Sequence, residues 1–218
     1  MVIAIDGPAA SGKSSTAKAV ASALGLAHLD SGSLYRAVTA ARVRRGGASS
    51  RWTEAELLDA ARDVSLDVSG HEFVPHIDGA EVDDELWSAA VTASVPRVAQ
   101  MPGVRAWVNA RLLEAAAMHK VVVDGRDMGT AVFPNADLKI YLVADAWERA
   151  RRRLLQRDGR EPVDDAIAEE MAVLIERDLR DAKQSEPARD AIVIDTSGIT
   201  QAEQVARIVA LARERIRS

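Results

Sequence analysis

A phosphate-binding loop lies near the start of the chain. The segment Gly7-Pro8-Ala9-Ala10-Ser11-Gly12-Lys13-Ser14 fits G-x-x-x-x-G-K-[ST], a pattern whose backbone N–H groups surround the phosphates of a nucleoside triphosphate. The two glycines allow a tight backbone, Lys13 brings a positive charge to the β- and γ-phosphates, and the Ser14 hydroxyl can reach Mg²⁺. The loop therefore predicts binding of a nucleoside triphosphate.

The segments on either side of this loop are those that the motif requires. Residues 2–5 form a short apolar run of strand type, and Ser15 to Leu24 is a helix-forming stretch. A bare match to the pattern can arise by chance in a turn that contains glycine, but a strand before it and a helix after it favour the phosphate loop. A helix that begins near Gly12 also directs the positive end of its dipole toward the anion.

A second segment suited to phosphate follows the next predicted strand. Asp30-Ser31-Gly32-Ser33-Leu34-Tyr35-Arg36 is a hydroxyl-rich turn that opens a helix with an arginine in its first turn. Because a guanidinium grips two phosphate oxygens at once, Arg36 suits a second phosphate opposite the first. On this segment alone, an ordinary surface arginine is an equally good explanation.

A charged cluster, Asp124-Gly125-Arg126-Asp127, follows another predicted strand and continues into Met128-Gly129-Thr130. Charges placed directly after a buried strand are costly unless they have partners. This segment therefore favours a binding site over a solvated loop.

Arginines recur between residues 149 and 160, at positions 149, 151, 152, 153, 157 and 160. On a helix they point in more than one direction, so some of them face solvent. A subset at helical spacing could close over the phosphates as a lid.

Five apolar runs predict the strands that position these residues: 2–5, 27–29, 120–123, 138–143 and 191–194. Helical patterns lie between and after them, at 12–24, 34–45, 104–118, 146–156, 165–183 and 201–217. Most of the runs are apolar throughout, as expected when helices cover both faces of a sheet. We therefore predict an α/β fold with a five-stranded, doubly wound parallel sheet wrapped by helices. Several strands run into an acid, and for Asp6 and Asp195 a capping role is at least as good an explanation as a place at the active site.

Residues 64–100 do not follow this alternation. Residues 64–68 alternate between apolar and polar, residues 72–77 follow after Ser69-Gly70, and Asp78-Gly79 marks another turn. The pattern predicts a small antiparallel ribbon. We expect one domain with a core of 1–63 and 101–218, an insert of about 64–100 and a lid of about 149–162.

Composition limits the class of protein. The 218 residues carry a formal net charge of −5 and include no cysteine, which argues against a broad basic face for a nucleic-acid polymer and excludes disulfides and thiolate chemistry. No stretch approaches the length of a membrane span, and no signal peptide is evident. We expect a cytoplasmic monomer that binds neither membrane nor nucleic-acid polymer, in which the four tryptophans pack against helix faces.

Together with Glu176-Arg177-Asp178 and Asp181, these motifs resemble those of the bacterial cytidylate kinases. The resemblance runs essentially from end to end, and the segment from Asp124 to Thr130, continuing to Pro134, is much more specific than the phosphate loop. It implies an adenylate-kinase-like P-loop core with an enlarged insert on the side that binds the monophosphate. It also implies ATP with Mg²⁺ as the phosphoryl donor and CMP or dCMP as the acceptor.

The resemblance implies roles for single residues. The ATP-binding residues would be Gly7, Pro8, Ala9, Ala10, Ser11, Gly12, Lys13, Ser14 and Ser15, with Ser14 at the metal and Lys13 and Arg126 catalytic. The CMP-binding residues would be Arg36 and Arg126 at the phosphate, Arg105 and Asp127 at the cytosine, Arg177 and Asp181 at the ribose, and Ser31 and Asp124 in the pocket wall. The lid residues would be Arg149, Arg152 and Arg153.

The sequence departs from the family pattern at two positions. Pro96 stands where the family usually has a serine that contacts the base, although Ser94 is close. Gln184 stands where the family usually has an arginine for the acceptor phosphate, and Lys183 precedes it.

The chemistry of cytosine agrees with the implied base contacts. A carboxylate such as Asp127 accepts from the exocyclic amine while Arg105 donates to N3 and O2, and uracil would bring a carbonyl to the carboxylate. Two other functions stay open at this point. One is a kinase of another small metabolite, such as shikimate. The other is a switch that binds ATP or GTP, and the lack of a guanine-reading Asn/Thr-Lys-x-Asp pattern counts against a GTPase switch.

Overall fold

The computed structural model describes residues 1–182 and 185–217. The strands are β1 Val2–Asp6, β2 Ala27–Asp30, β3 Val64–Ser69, β4 Glu72–Ile77, β5 Ala80–Glu81, β6 Val121–Gly125, β7 Leu138–Val143 and β8 Ile192–Asp195. The helices are α1 Lys13–Leu24, α2 Ser31–Arg44, α3 Glu54–Ala60, α4 Asp83–Leu86, α5 Ala89–Val98, α6 Pro102–Met118, α7 Ala146–Asp158, α8 Asp164–Asp181 and α9 Gln201–Arg217. All five predicted strands and all six predicted helices form close to their predicted bounds, and the predicted end of α8 at Lys183 lies outside the described residues.

The chain divides into two units. The first consists of Met1–Leu26 and Val121–Ser218, and the second of Ala27–Lys120. The second unit contains the predicted insert, residues 64–100, together with the segments on either side of it.

The first unit is built on four parallel strands in the order β6-β1-β7-β8. In the register of these strands, Ile5 of β1 lies between Asp124 of β6 and Ile140 of β7. Because parallel strands end at the same edge of the sheet, Asp6, Gly125 and the residues that follow them meet there. The predicted α/β class with a mostly parallel sheet is confirmed.

Helices α1 and α9 contribute to one buried apolar cluster with this sheet. It contains Ile3, Ile5 and Ile140 from the strands, Val20 from α1 and Ile208 from α9, each with at most 1% of its surface exposed. Full burial of an isoleucine contributes about 1.5–3 kcal/mol to folding. This cluster therefore fixes β1 and α1, the two elements that the phosphate loop connects.

A smaller cluster joins α7 and α8 to the phosphate loop itself. Leu154 of α7 and Ile167 and Leu174 of α8 are buried together with Ala9 of the loop. The helices that carry the predicted lid and ribose residues thus share apolar contacts with the phosphate loop.

The second unit contains the predicted ribbon. Strands β3 and β4 pair antiparallel from Val64 opposite Ile77 to Ser69 opposite Glu72, and β5 pairs with β4. Asp78 and Gly79 both adopt positive φ between β4 and β5, as a tight hairpin turn requires. The predicted antiparallel ribbon is confirmed, and β2 pairs in parallel with β4 at His28 and Glu72.

Helices α3, α4 and α5 belong to this unit and were not predicted. Thr53 and Glu56 form a capping box at the start of α3, with the Thr53 N–H donating to Glu56 Oε2 at 2.7 Å. The expectation for the tryptophans is correct for Trp52, which is 4% exposed, and wrong for Trp87, which is 62% exposed. No helix among the described residues is long and apolar enough to cross a bilayer.

Candidate active site

The phosphate loop connects the end of β1 to the start of α1 in a backbone conformation that depends on its glycines. Gly12, the residue before α1, has φ of 84°, and Ala10 has φ of 58°. A Cβ on Gly7 would collide with the carbonyl oxygen of Leu142 and lie 2.9 Å from Ser11 Oγ. The sequence therefore needs glycine at position 7 for space and at position 12 for its positive φ.

The Ser11 hydroxyl lies inside this loop without a hydrogen-bond partner. Ser11 is 0% exposed, and its Oγ has no partner among the described residues. An unsatisfied buried hydroxyl costs about 1–3 kcal/mol. A phosphate oxygen in the loop would supply an acceptor for it.

Lys13 and Ser14 begin α1, where the helix dipole favours negative charge. Lys13 Nζ donates to the carbonyl oxygen of Pro8 at 3.2 Å, so the ammonium group bends back over the loop. Ser14 Oγ donates to Asp124 Oδ2 at 2.5 Å, which brings the loop serine to the carboxyl end of β6.

The pair of Ser14 and Asp124 has the chemistry of a magnesium site. Mg²⁺ prefers hard oxygen ligands and is usually held by one or two protein groups together with phosphate oxygens and water. Asp124 is 1% exposed, which makes its carboxylate costly to bury unless a cation or a donor is near. Within residues 1–182 and 185–217 there is no group of three His, Asp or Glu residues that could hold a metal ion.

Asp6, at the end of β1, holds the segment that follows β6. Its carboxylate accepts from the backbone N–H groups of Met128 at 2.8 Å and Gly129 at 2.7 Å. Burial raises the pKa of Asp6 to about 6, and the negative charge of Asp127 adds to the rise, while the two backbone donors and Lys13 oppose it. Asp6 therefore fixes the first turn after Asp127, a residue predicted to contact cytosine.

Arg126 links the phosphate loop to the predicted ribose residues. Its Nη1 donates to the carbonyl oxygen of Gly7 at 2.8 Å, and its Nη2 lies 3.2 Å from Asp181 Oδ2. Arg177 Nε lies 3.8 Å from the same carboxylate oxygen. The first unit thus brings together four of the predicted site residues, Lys13, Arg126, Arg177 and Asp181, around one loop and one helix end.

Arg149, predicted for the lid, is buried beneath the phosphate loop. It is 6% exposed, and its guanidinium donates to the carbonyl oxygens of Ala9 at 3.0 Å and Ala144 at 3.1 Å. Nη1 also lies 2.7 Å from Asp178 Oδ2. These contacts hold the loop backbone at Ala9 from the α7 side.

The other two predicted lid arginines contact acids on α7 and α8. Arg152 Nε donates to Glu148 at 2.7 Å, and its Nη2 donates to the carbonyl oxygen of Thr196 at 2.6 Å. Arg153 Nε lies 2.8 Å from Glu170 on α8. The side chains of Arg152 and Arg153 are 25% and 39% exposed, so solvent reaches both.

A cavity of 550 Å³ lies beside the loop in the first unit. It is lined by the start of α1, by one side of α7 and by the segment that leads from β8 into α9. Glu148, Arg151 and Arg152 supply charge, and Ser197, Thr200 and Gln204 supply hydrogen-bonding groups. Its volume lies in the usual range for small-ligand sites.

The remaining predicted acceptor residues belong to the second unit. Ser31 is buried at the start of α2, where Asp30 accepts from the Gly32 N–H at 2.8 Å. Arg36 Nη1 donates to the Leu86 carbonyl oxygen at 2.9 Å, and Arg105 Nη1 donates to the Ala99 carbonyl oxygen at 3.2 Å.

The structure describes one of the two positions at which the sequence departs from the family pattern. Pro96 lies inside α5, and Ser94, near it, is buried and donates to the Ala90 carbonyl oxygen at 2.8 Å. Lys183 and Gln184 lie outside the described residues.

Sequence reasoning missed several residues that support the site. Asp178 belongs to a motif of the family resemblance, but no role was predicted for it, and it pairs with Arg149. Trp87, which contacts Arg36, had no local signal. Asp6 had one, its position at a strand end, but a capping role explained it equally well.

Comparisons with known proteins agree over nearly the whole length. A family model described as cytidylate kinase matches residues 3–214. A cytidylate kinase of Thermus thermophilus is 41% identical, and the match covers 97% of this chain and 98% of that protein. A cytidylate kinase of Geobacillus kaustophilus is 40% identical, and the match covers 98% of this chain and 97% of that protein.

Among solved structures, a shikimate kinase from Bacteroides thetaiotaomicron is similar with a TM-score of 0.50 and 16% identity. The match covers 98% of each chain. At that identity the likeness is one of fold.

Proposed function

The chain belongs to the cytidylate kinase family, and from that premise we propose that it transfers the γ-phosphoryl group of ATP to CMP and dCMP. The products are ADP with CDP or dCDP. One observation in the structure carries most weight: Arg126 donates to the carbonyl oxygen of Gly7 and pairs with Asp181. The donor loop and the acceptor residues of the first unit thus share one arginine, as direct transfer between two bound nucleotides requires.

The reaction needs positioning and positive charge more than a base. The α-phosphate of CMP is largely ionised at neutral pH, so one of its oxygens attacks the γ-phosphorus without losing a proton. Lys13 and Arg126 stabilise the charge that spreads over the transferring group. Ser14 and Asp124 would hold the Mg²⁺ that accompanies ATP, and the ion would supply positive charge against the phosphates.

We propose that the cavity beside α1 receives the nucleoside of ATP. It adjoins the phosphate loop at Gly12 and Ser15 and has the volume for a base with its ribose. Because Arg149 already holds Ala9, its proposed contribution is to keep the loop in shape. Arg152 and Arg153 are the lid members that would turn toward the phosphates.

Base selection is proposed to rest on Asp127 and Arg105. Asp127 is 8% exposed, so an unmatched hydrogen bond at its carboxylate is expensive. Cytosine offers its amine to that carboxylate, whereas uracil offers a carbonyl oxygen. A buried mismatch of this kind supports strong discrimination against UMP.

We further propose a monomer that works in the cytoplasm without a membrane or a nucleic-acid polymer. The net charge of −5 and the absence of cysteine support this setting. Sedimentation of the purified protein would test the monomer, and a dimer at micromolar concentration would reject it.

An ADP-release assay with Mg-ATP and a panel of acceptors tests the proposed reaction. We expect fast turnover with CMP and dCMP, little with UMP or AMP, and none with shikimate. Fast turnover with shikimate alone would favour the small-metabolite kinase, and ATP hydrolysis that is independent of any acceptor would favour a switch. Lys18→Ala is a matched control for Lys13→Ala, since it removes an exposed lysine from the same helix.

A further inference from the structure

Trp87 is an exposed tryptophan whose ring contacts a residue of the proposed acceptor site. It follows α4 directly and is 62% exposed. The guanidinium carbon of Arg36 lies over its ring, 4.0 Å from the centroid. That separation is well within the range of a cation–π contact.

The same short stretch holds Arg36 by hydrogen bonds. Arg36 Nη1 donates to the Leu86 carbonyl oxygen at 2.9 Å and to Thr92 Oγ1 at 3.1 Å. The Thr92 hydroxyl itself donates to the Trp87 carbonyl oxygen at 3.5 Å. Residues 86–92 thus supply three contacts to one guanidinium, and all of them lie in the second unit.

We propose that Trp87 and Thr92 are positioning residues that hold Arg36 ready for the phosphate of the acceptor nucleotide. This inference rests on the proposed function, in which Arg36 binds the phosphate of CMP. It assigns a purpose to an exposed aromatic side chain that the core does not use.

The way in which the Trp87 ring contacts Arg36 predicts that the ring strengthens the binding of CMP. A guanidinium presents its N–H donors in its own plane, so a ring against its face restrains it without occupying those donors. The Leu86 and Thr92 bonds both use Nη1.

A long arginine side chain loses rotamer freedom when it binds phosphate. If Trp87 and Thr92 restrict that freedom before CMP arrives, the loss on binding is smaller and CMP binds more tightly. Removing the ring should therefore weaken the binding of CMP. A ring that instead drew Arg36 away from the phosphate would give the opposite result.

The experiment compares CMP with cytidine, which lacks the phosphate. Titration calorimetry would measure both ligands against the wild-type protein, Trp87→Ala, Trp87→Phe and Thr92→Val. We expect Trp87→Ala to weaken CMP binding about three- to fivefold, which corresponds to a cation–π contact at an exposed site. Trp87→Phe should weaken CMP binding less than Trp87→Ala does, and Thr92→Val should also weaken CMP binding. The affinity for cytidine should stay the same in each variant.

Two controls separate this effect from a general loss of structure. Trp107→Ala removes a different tryptophan that lies under an arginine, Arg111, at 5.8 Å, and it should leave the affinity for CMP unchanged. In the background of Arg36→Ala, adding Trp87→Ala should cause no further loss, because the ring acts through Arg36.

Several results would overturn the proposal. They are an unchanged or higher affinity of Trp87→Ala for CMP, an equal loss for CMP and cytidine, or a further loss in the double variant. If Arg36→Ala itself binds CMP normally, the assignment of Arg36 in the proposed function fails, and this proposal fails with it. A loss in Arg36→Ala without one in Trp87→Ala would reject this proposal alone.

Discussion

Asp6 is a buried acid whose pH dependence can be isolated by one conservative substitution. Asp6 is 5% exposed, its carboxylate accepts two backbone hydrogen bonds, and burial raises its pKa from 3.8 to about 6. The folded protein therefore binds a proton at Asp6 more tightly than the unfolded chain does. The contribution of Asp6 to stability is fully present below about pH 4 and is lost as the pH rises through about 6.

The size of this loss follows from the pKa values. A rise from 3.8 to about 6 is about two pKa units, which corresponds to about 3 kcal/mol. Between about pH 4.5 and 7, the contribution of Asp6 to the free energy of unfolding should fall by about 2 kcal/mol. In a protein of this size that equals a change of about 4–8 °C in Tm.

Unfolding of the wild-type protein and Asp6→Asn should be measured across this pH range. Because asparagine does not titrate, the wild-type protein should lose stability relative to the variant as the pH rises. Asp195→Asn is the matched control: Asp195 also ends a strand, but the N–H and hydroxyl of Ser197 lower its pKa, so its contribution is lost only as the pH falls below about 4. If the difference in the free energy of unfolding between wild type and Asp6→Asn does not change with pH, the account of Asp6 is refuted.

At neutral pH the ionised, buried carboxylate of Asp6 stabilises the folded protein less than its protonated form would. This loss of stability implies that the carboxylate has a function. Its two oxygens match the N–H groups of Met128 and Gly129, whereas an asparagine brings one oxygen and one donor. Asp6→Asn should therefore disturb the segment that carries Asp127 and raise the KM for CMP more than that for ATP. A variant with unchanged kinetics would show that Asp6 does not position the acceptor site.

The remaining predictions concern the loop and the base. Lys13→Ala should lower kcat by orders of magnitude with little change in Tm, and retained turnover in a coupled assay would contradict its role. Gly7→Ala should force the loop away from Leu142 and abolish measurable ATP binding in calorimetry, and normal binding would show that the loop tolerates a Cβ. Asp127→Asn should lower the ratio of kcat/KM for CMP to that for UMP by about tenfold or more, since an amide can also donate to uracil. A ratio that does not change would remove Asp127 from base selection.

Local patterns were sufficient to predict the phosphate loop, most helices and every strand except the two-residue β5. Residues 2–24 contain a strand, a loop and a helix in direct succession, so each is visible within a short window. Helix α3 also had a local signal, the capping pair Thr53 and Glu56. Helix α5 is harder to predict because it contains Pro96, which lacks the N–H for a helical hydrogen bond.

The supporting contacts of the site depend on residues that are distant in sequence. Asp6 and Met128 are 122 residues apart, and Arg149 and Ala9 are 140 apart. Composition and periodicity carry no information on such pairs, because they form only when the strands take their places in the sheet. The residue types predicted the chemistry of the site, and the fold determines which side chains hold it in position.

Transfer of a labelled phosphate from ATP is the most direct test of the central claim. The protein would be incubated with Mg²⁺, ATP labelled in its γ-phosphate and CMP, and the nucleotides would then be separated. We expect the label in the β-phosphate of CDP, with one ADP formed for each CDP. Label found only in inorganic phosphate, with CMP unchanged, would contradict the account.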